Sequence, residues 1–288
     1  MSLEAAVARA CGRTVLSSRR VGGGDINDAY AVELEGGERA FVKTRADAPA
    51  GEYAAEAVAL RWLGEPGGLG VPDVLGASDD VLVLEWLDEG GPRDEAALGR
   101  GLAIVHAAGA PAFGGAPPGR DPSAPAAAPL RIGPLTLPND PSPDWASFYA
   151  ERRLRPLVGA ARDRGSLSSG GAAAVERVCD RIAELAGPPE PPARLHGDLW
   201  GGNVLWSGGR PFLIDPIAYG GHREVDLAML RLFGAPGPRL LDAYEEVSPL
   251  AEGHADRVAL YQLFPLLVHA VLFGGSYGSS VERAARRY

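Results

Sequence analysis

The chain has 288 residues, 46% hydrophobic and 23% charged, the balance of a folded globular protein with room for a full core in one or two domains. Its net charge of -9 argues against a nucleic-acid partner and against an anionic membrane surface. Cys11 and Cys179 are the only cysteines, which excludes a disulfide framework and a cysteine-based metal site.

The first residues carry Glu4 and no apolar h-region, so no signal peptide is expected. Residues 3–11 read as a short amphipathic helix. A strand-like segment over 13–21 then runs into Gly22, Gly23 and Gly24, and residues 30–34 and 39–44 form a hairpin about Glu35-Gly36-Gly37. Glycines in such a strand-turn-strand let backbone N–H groups approach phosphates closely. The spacing is not that of a P-loop. The next strand, AFVK, ends on Lys43, the only lysine in the chain; the other 27 of its 28 lysine and arginine residues are arginine. A position that stays lysine against that background points to a need for a compact ammonium, as in pairing with phosphates.

Residues 51–63 predict a helix with Tyr53, Ala57, Leu60 and Leu63 on one face. Glu56 is the candidate partner for Lys43, whereas Glu52 is explained by the helix dipole. Val71-Pro72 opens an extended segment. VLVLEWL, residues 81–87, is an apolar strand, and backbone groups near Glu85 and Leu87 would read an adenine edge if this strand runs into a hinge. The natural boundary therefore falls after residue 87, giving an N-terminal lobe of 1–87 and a C-terminal lobe of 88–288.

Residues 94–107 form a helix in which His106 reads as a core or capping residue. The stretch 109–143 is dense in Pro, Ala and Gly and reads as a long loop. Asp144 caps a helix, DWASFYAERRLRPLV, that Pro156 must kink or break. Arg152, Arg153 and Arg155 on it form either a solvated face or a ligand-orienting group. A further helix spans 171–186.

The central stretch is LHGDLWGGNVLWSGGRPFLIDP, residues 195–216. VLW and PFLID read as two short strands joined at SGGR, which brings Asp198, Asn203 and Asp215 towards one cleft. Phosphoryl transfer from a nucleotide with Mg2+ needs such a set: one carboxylate for the acceptor hydroxyl's proton, and an amide oxygen and a second carboxylate for the metal. The plainer alternative is a polar turn whose Asp and Asn residues cap and bend it. Asp215 is followed by Pro216-Ile217 rather than Phe-Gly. A helix over 221–233 follows, in which Asp226 holds the catalytic-loop backbone, while His222 and Glu224 either cap it or line an acceptor pocket. The remainder to 288 reads as helices. The longest apolar run, near 263–273, is expected to be too short to span a bilayer, so a cytoplasmic protein with no membrane partner is expected.

These residues resemble the fructosamine/ketosamine 3-kinase family, in the aminoglycoside-phosphotransferase-like branch of the protein-kinase fold. The likeness is carried by GGGDIN, FVKT, VLVLEWLD, IGPLTLPNDPSPDWASFYAERRLRP, LHGDLWGGNV, LIDP and YGGHREVDLAM. It implies an α+β, bilobal fold with a small antiparallel-sheet N-terminal lobe and a larger, mainly helical C-terminal lobe. It also implies ATP-dependent phosphorylation of the sugar O3 of ketosamines, free or on a glycated protein side chain, with release of the amine afterwards. Carried over by position, Lys43 would hold the α/β-phosphates, Glu56 would orient it, Asp198 would be the base, and Asn203 and Asp215 would hold Mg2+. Trp200 would pack against the sugar or serve as a core residue. Gly197 stands where protein kinases carry arginine, and Asp25 where some family members carry a redox-sensitive cysteine. Two alternatives stand beside this reading: a kinase of another small alcohol or an aminoglycoside, and a non-catalytic nucleotide-binding protein. The sequence is silent on oligomeric state and compatible with a monomer.

Overall fold

A computed structural model describes residues 2–22, 27–118, 129–234 and 236–288. Gly23, Gly24 and Asp25 lie outside the described residues. The chain begins with α1 (Leu3–Cys11), β1 (Val15–Val21), β2 (Asp28–Leu34), β3 (Arg39–Thr44), α2 (Glu52–Gly64), β4 (Val74–Ala77) and β5 (Val81–Glu85). The five strands make one antiparallel sheet in the order β1-β2-β3-β5-β4.

Strand periodicity decides what each face of this sheet carries, because alternate side chains point to opposite sides. Ala40 and Val42 of β3, with Val81 and Val83 of β5, pack against Ala6 and Val7 of α1. Phe41 of β3, with Leu82 and Leu84 of β5, lies on the opposite face, under Tyr53, Ala57 and Leu60 of α2. Lys43 shares the parity of Phe41, so it is delivered to the α2 side. The other side of α2 enters a second core, where Ala59, Trp62 and Leu63 meet Leu98, Leu102 and Val105. Helix α2 is thus packed against both lobes.

The C-terminal lobe starts with α3 (Glu95–Ala107), capped by Asp94 accepting from the Ala97 N–H. The stretch expected to be a long loop contains a small hairpin, β6 (Leu130–Ile132) and β7 (Leu135–Leu137). Next come α4 (Trp145–Phe148), a π-helical segment over Tyr149–Leu154, and α5 (Arg155–Asp163). Pro156 causes this widening. A proline clashes with the carbonyl four residues earlier and leaves it without its N–H partner. Here that carbonyl belongs to Arg152, and the Arg153 guanidinium donates to it at 3.1 Å. Helices α6 (Ser169–Asp180) and α7 (Ile182–Leu185) precede β8 (Ala193–Leu195), β9 (Val204–Ser207), β10 (Arg210–Leu213) and β11 (Tyr219–Gly221). Strand β10 pairs with β9 and β11 with β8.

The chain ends with α8 (Glu224–Leu230), α9 (Pro238–Val247), α10 (His254–Phe273) and α11 (Tyr277–Ala285). Helix α8 is shorter than the 221–233 expected, because Gly221 belongs to β11. Helix α10 corrects the expectation drawn from its apolar run: it extends back to His254, and its 20 residues are long and apolar enough to cross a bilayer. Most of it instead forms the core of this lobe, with Leu260, Leu263 and Leu267 fully buried against Tyr149, Leu154 and Val175.

Candidate active site

A cleft of about 960 Å³ runs between the lobes, lined by Gly22, Lys43, Glu56, Glu85, Leu87, Asp198, Trp200, Asn203 and Asp215 among others. On its sheet side, the Lys43 ammonium donates to Glu56 Oε1 at 2.6 Å and also to Asp215 Oδ1. Burial by itself lowers this ammonium's pKa, but the Glu56 and Asp215 carboxylates more than offset it and hold Lys43 above the ordinary lysine range. Lys43 is therefore a fixed cation in the cleft. At the end of β5, Leu87 lies beyond the strand, and neither its N–H nor its carbonyl has a partner among the described residues. It is free to meet a ligand's edge. The Glu85 side chain turns to the Asp73 N–H instead, at 3.2 Å.

The catalytic-loop segment is held by groups buried beneath it. Asp226, fully buried on α8, accepts from the backbone N–H of His196 at 2.7 Å and of Gly197 at 3.0 Å. His106 joins the same carboxylate at 3.3 Å and Tyr244 Oη at 2.8 Å. His196 accepts from the Asp198 N–H on Nδ1, so its Nε2 carries the proton donated to the Ile214 carbonyl at 2.9 Å. This ring ties the two strand ends that carry Asp198 and Asp215. Gly197 has φ 84°, and a Cβ there would sit 2.3 Å from the Ile217 carbonyl oxygen, so an arginine at that position would not fit this turn.

Asn203 donates through Nδ2 to the Asp198 carbonyl at 2.8 Å and to Asp198 Oδ2 at 3.1 Å. Its Oδ1 is left as an acceptor on the cleft. Burial raises the Asp198 carboxyl above the ordinary aspartate range. Asp215 has φ 56°, and among the described residues it is the only non-glycine residue in the left-handed region. Such a conformation costs on the order of 1 kcal/mol and is retained where a side chain must be aimed. One carboxylate oxygen meets Lys43, and Oδ2 has no protein partner among the described residues. Asn203 Oδ1 and Asp215 Oδ2 are hard oxygen donors of the kind Mg2+ takes alongside phosphate oxygens and water, so the donor set fits that ion.

One wall of the cleft is aromatic. Trp200, 40% exposed, meets Phe233 edge-on at 6.1 Å, and Phe233 leads to His269 at 5.0 Å and on to Phe273. The Trp200 ring lies over Gly202, where a Cβ would come within 2.2 Å of it.

His222 and Glu224 are not on the cleft. The His222 ring is buried and stacked on Tyr261 at 5.1 Å, next to Trp145 at 5.8 Å. Glu224 is spent on a paired contact with Arg257, at 2.6 and 2.9 Å. Both belong to the core beneath the site, which corrects their reading as acceptor-pocket residues. The arginine trio is neither a solvated face nor a ligand clamp as a unit. Arg155 bonds Glu151, Glu176 and Asp180, and Arg153 is fully buried. Sequence reasoning gave no role to His196 or to Asn139, which also lines the cleft. The position of His196, two residues before Asp198, was its only signal.

The family model for fructosamine kinases matches residues 2–288. The chain belongs to the fructosamine kinase family. A protein of Thermus thermophilus provisionally named a ketoamine kinase is 37% identical over 262 residues, covering 91% of this chain and 90% of that relative. A crystal structure from Thermobifida fusca, provisionally named a fructosamine-3-kinase, superposes with a TM-score of 0.90 at 46% identity and covers 99% of this chain and 98% of that one. A macrolide 2'-phosphotransferase superposes with a TM-score of 0.63 at 18% identity, covering 98% and 94%, which shows a shared kinase-like fold. Against that background, the sheet of the N-terminal lobe and the helical C-terminal lobe of this fructosamine kinase family member form the α+β kinase-like architecture expected from its sequence.

Proposed function

We propose that this chain is an ATP-dependent kinase that phosphorylates the sugar 3-hydroxyl of ketosamines, a step that leads to release of the amine. The observation carrying this reading is the convergence of Lys43, Asp198, Asn203 and Asp215 on one cleft in a chain of this family. Residues 1–87 hold the nucleotide, with Gly22 on the cleft beside the phosphates and the backbone near Glu85 and Leu87 at the adenine. Residues 88–288 carry the acceptor and the base.

In this reading the Lys43 ammonium neutralises phosphate oxygens and Glu56 fixes its direction. The Asp198 carboxylate, positioned by Asn203, accepts the proton of the attacking hydroxyl. Trp200 offers an apolar plane to the sugar ring. A bound Mg2+ on Asn203 and Asp215 would supply neutralisation of the charge on the transferred group. Positioning and fixed charges account for most of the rate in such a site.

Purified protein with ATP and Mg2+ should form ADP with fructosyl-lysine or ribulosyl-lysine, with phosphate on O3, and not with choline or an aminoglycoside. Turnover on choline or an aminoglycoside alone would overturn the acceptor, and phosphate on another hydroxyl would overturn the position.

A further inference from the structure

Asn139 follows β7 and is 98% removed from solvent, at 2% relative exposure, yet it lines the cleft. Its orientation is not open to choice. Arg153 Nη2 donates to Asn139 Oδ1 at 2.7 Å, and a guanidinium has only donors, so the oxygen of the amide must face it. The Nδ2 group consequently turns the other way and has no hydrogen-bond partner among the described residues. On the cleft wall this donor is open to water or to an oxygen of a ligand.

Arg153 itself is a core residue rather than a surface one. It is fully buried, with its guanidinium 4.4 Å from the rings of both Phe148 and Tyr219. Its other acceptors are the carbonyls of Pro138 and Arg152, and no carboxylate lies within ion-pair distance among the described residues. A cation without a counter-charge stands directly behind the Asn139 amide. Both features favour an oxygen acceptor in front of Nδ2 and disfavour an ammonium there.

We propose that Asn139 is an acceptor-recognition residue whose carboxamide nitrogen, aimed into the cleft by Arg153, donates to a hydroxyl or ketone oxygen of a polyol acceptor. This inference rests on the acceptor being oxygen-rich, as in the function proposed above, and adds the residue that selects it. Asn139 is thereby placed to favour a polyol end over a cationic head.

The test uses the full-length enzyme with ATP, Mg2+ and fructosyl-lysine, and compares Asn139→Ala and Asn139→Asp with the parent. The Asp variant is the decisive one. It keeps the shape and gives Arg153 a carboxylate, so the fold should be at least as stable by thermal melt, but it removes the donor. Acceptor kcat/KM should fall by about 10–100-fold in both variants, with the KM for ATP unchanged. Full acceptor kcat/KM in Asn139→Asp, or an equal rise in both KM values, would overturn the inference. If the parent instead phosphorylates a different polyol and the variants weaken that acceptor, the inference stands while the ketosamine reading falls. A parent that accepts only choline or an aminoglycoside, or that in calorimetry with a nonhydrolysable ATP analogue binds no polyol, overturns both.

Discussion

At the residue scale, the site is a set of polar groups whose freedom has been removed by neighbours that never meet a ligand. Asp198 is held through its side chain by Asn203 and through its backbone by His196. Replacing Asp198 with Asn keeps this geometry and removes the base of the proposed mechanism. We expect kcat to fall by about 10²–10⁴-fold, with nucleotide affinity retained, as read by steady-state kinetics and by calorimetry with an ATP analogue. The parent's pH profile carries a second signature. If Asp198 acts as the proposed base it must be ionised, and burial raises its pKa, so the acid limb of kcat/KM should lie above the ordinary aspartate range. An acid limb at the ordinary aspartate value would count against Asp198 as the base. Among these residues, Asp198, Asn203, Asp215 and Lys43 were legible from residue type and spacing. Asn139 was not, because its meaning depends on Arg153, 14 residues later and turned inward across a π-helical segment.

At the scale of elements, two prolines inside helical runs are accommodated in different ways. Pro156 follows a π-helical widening, whereas Pro265 sits within the continuous helix α10. Pro265 lacks the N–H that would satisfy the Tyr261 carbonyl. The buried Tyr149 hydroxyl takes that place, donating to the carbonyls of Leu260 at 3.0 Å and Tyr261 at 3.3 Å. Tyr149→Phe should therefore cost about 1–3 kcal/mol in chemical denaturation. In a Pro265→Ala background, where the N–H returns, the same substitution should cost distinctly less. Equal costs in the two backgrounds would dismiss the pairing. The sequence announced a kink at Pro156 but could not say how it would be absorbed. Hydrophobic periodicity gave α2 and β3 readily, since burial on one face repeats along the element. The hairpin of β6 and β7 was hidden, as three-residue strands leave too short a pattern to separate from loop.

At the scale of the whole molecule, the two lobes are joined by shared packing as well as by the chain. Helix α2 enters both cores, and Arg194 of the C-terminal lobe donates to the Trp62 carbonyl at 2.8 Å and to Glu65 at 2.6 Å. Stability should carry an acid-labile component from the core beneath the site. Burial lowers the His222 pKa to about 4 from 6.5, against the opposing pull of Glu190 and alongside the like charges of Arg223 and Arg257. Above 6.5 the ring is neutral in both states and contributes nothing to pH dependence. Between 6.5 and about 4 the unfolded chain binds the proton and the folded one does not, so stability falls as pH falls through that window. His222→Phe should reduce this loss in melts recorded across the window. An unchanged pH dependence would show that the ring does not titrate in that way.

The chain's sequence by itself determined the kinase-like order of glycine-rich turn, lysine strand, glutamate helix and catalytic stretch, because each of these is a local pattern of residue type and spacing. It also marked Asp226 as the anchor of the catalytic loop, and two backbone N–H groups now meet that carboxylate. Only the tertiary structure decided which polar residues face the cleft. His222 and Glu224 look from their sequence position like site residues, yet partners distant in sequence, Tyr261 and Arg257, draw them into the core. Arg153 reads from sequence as a solvated or ligand-orienting charge, yet aromatic rings from α4, β11 and α10 close around it. The physical reason is common to these cases: whether a polar group is buried or offered to a ligand depends on what the rest of the chain brings against it, and spacing along one segment does not contain that information.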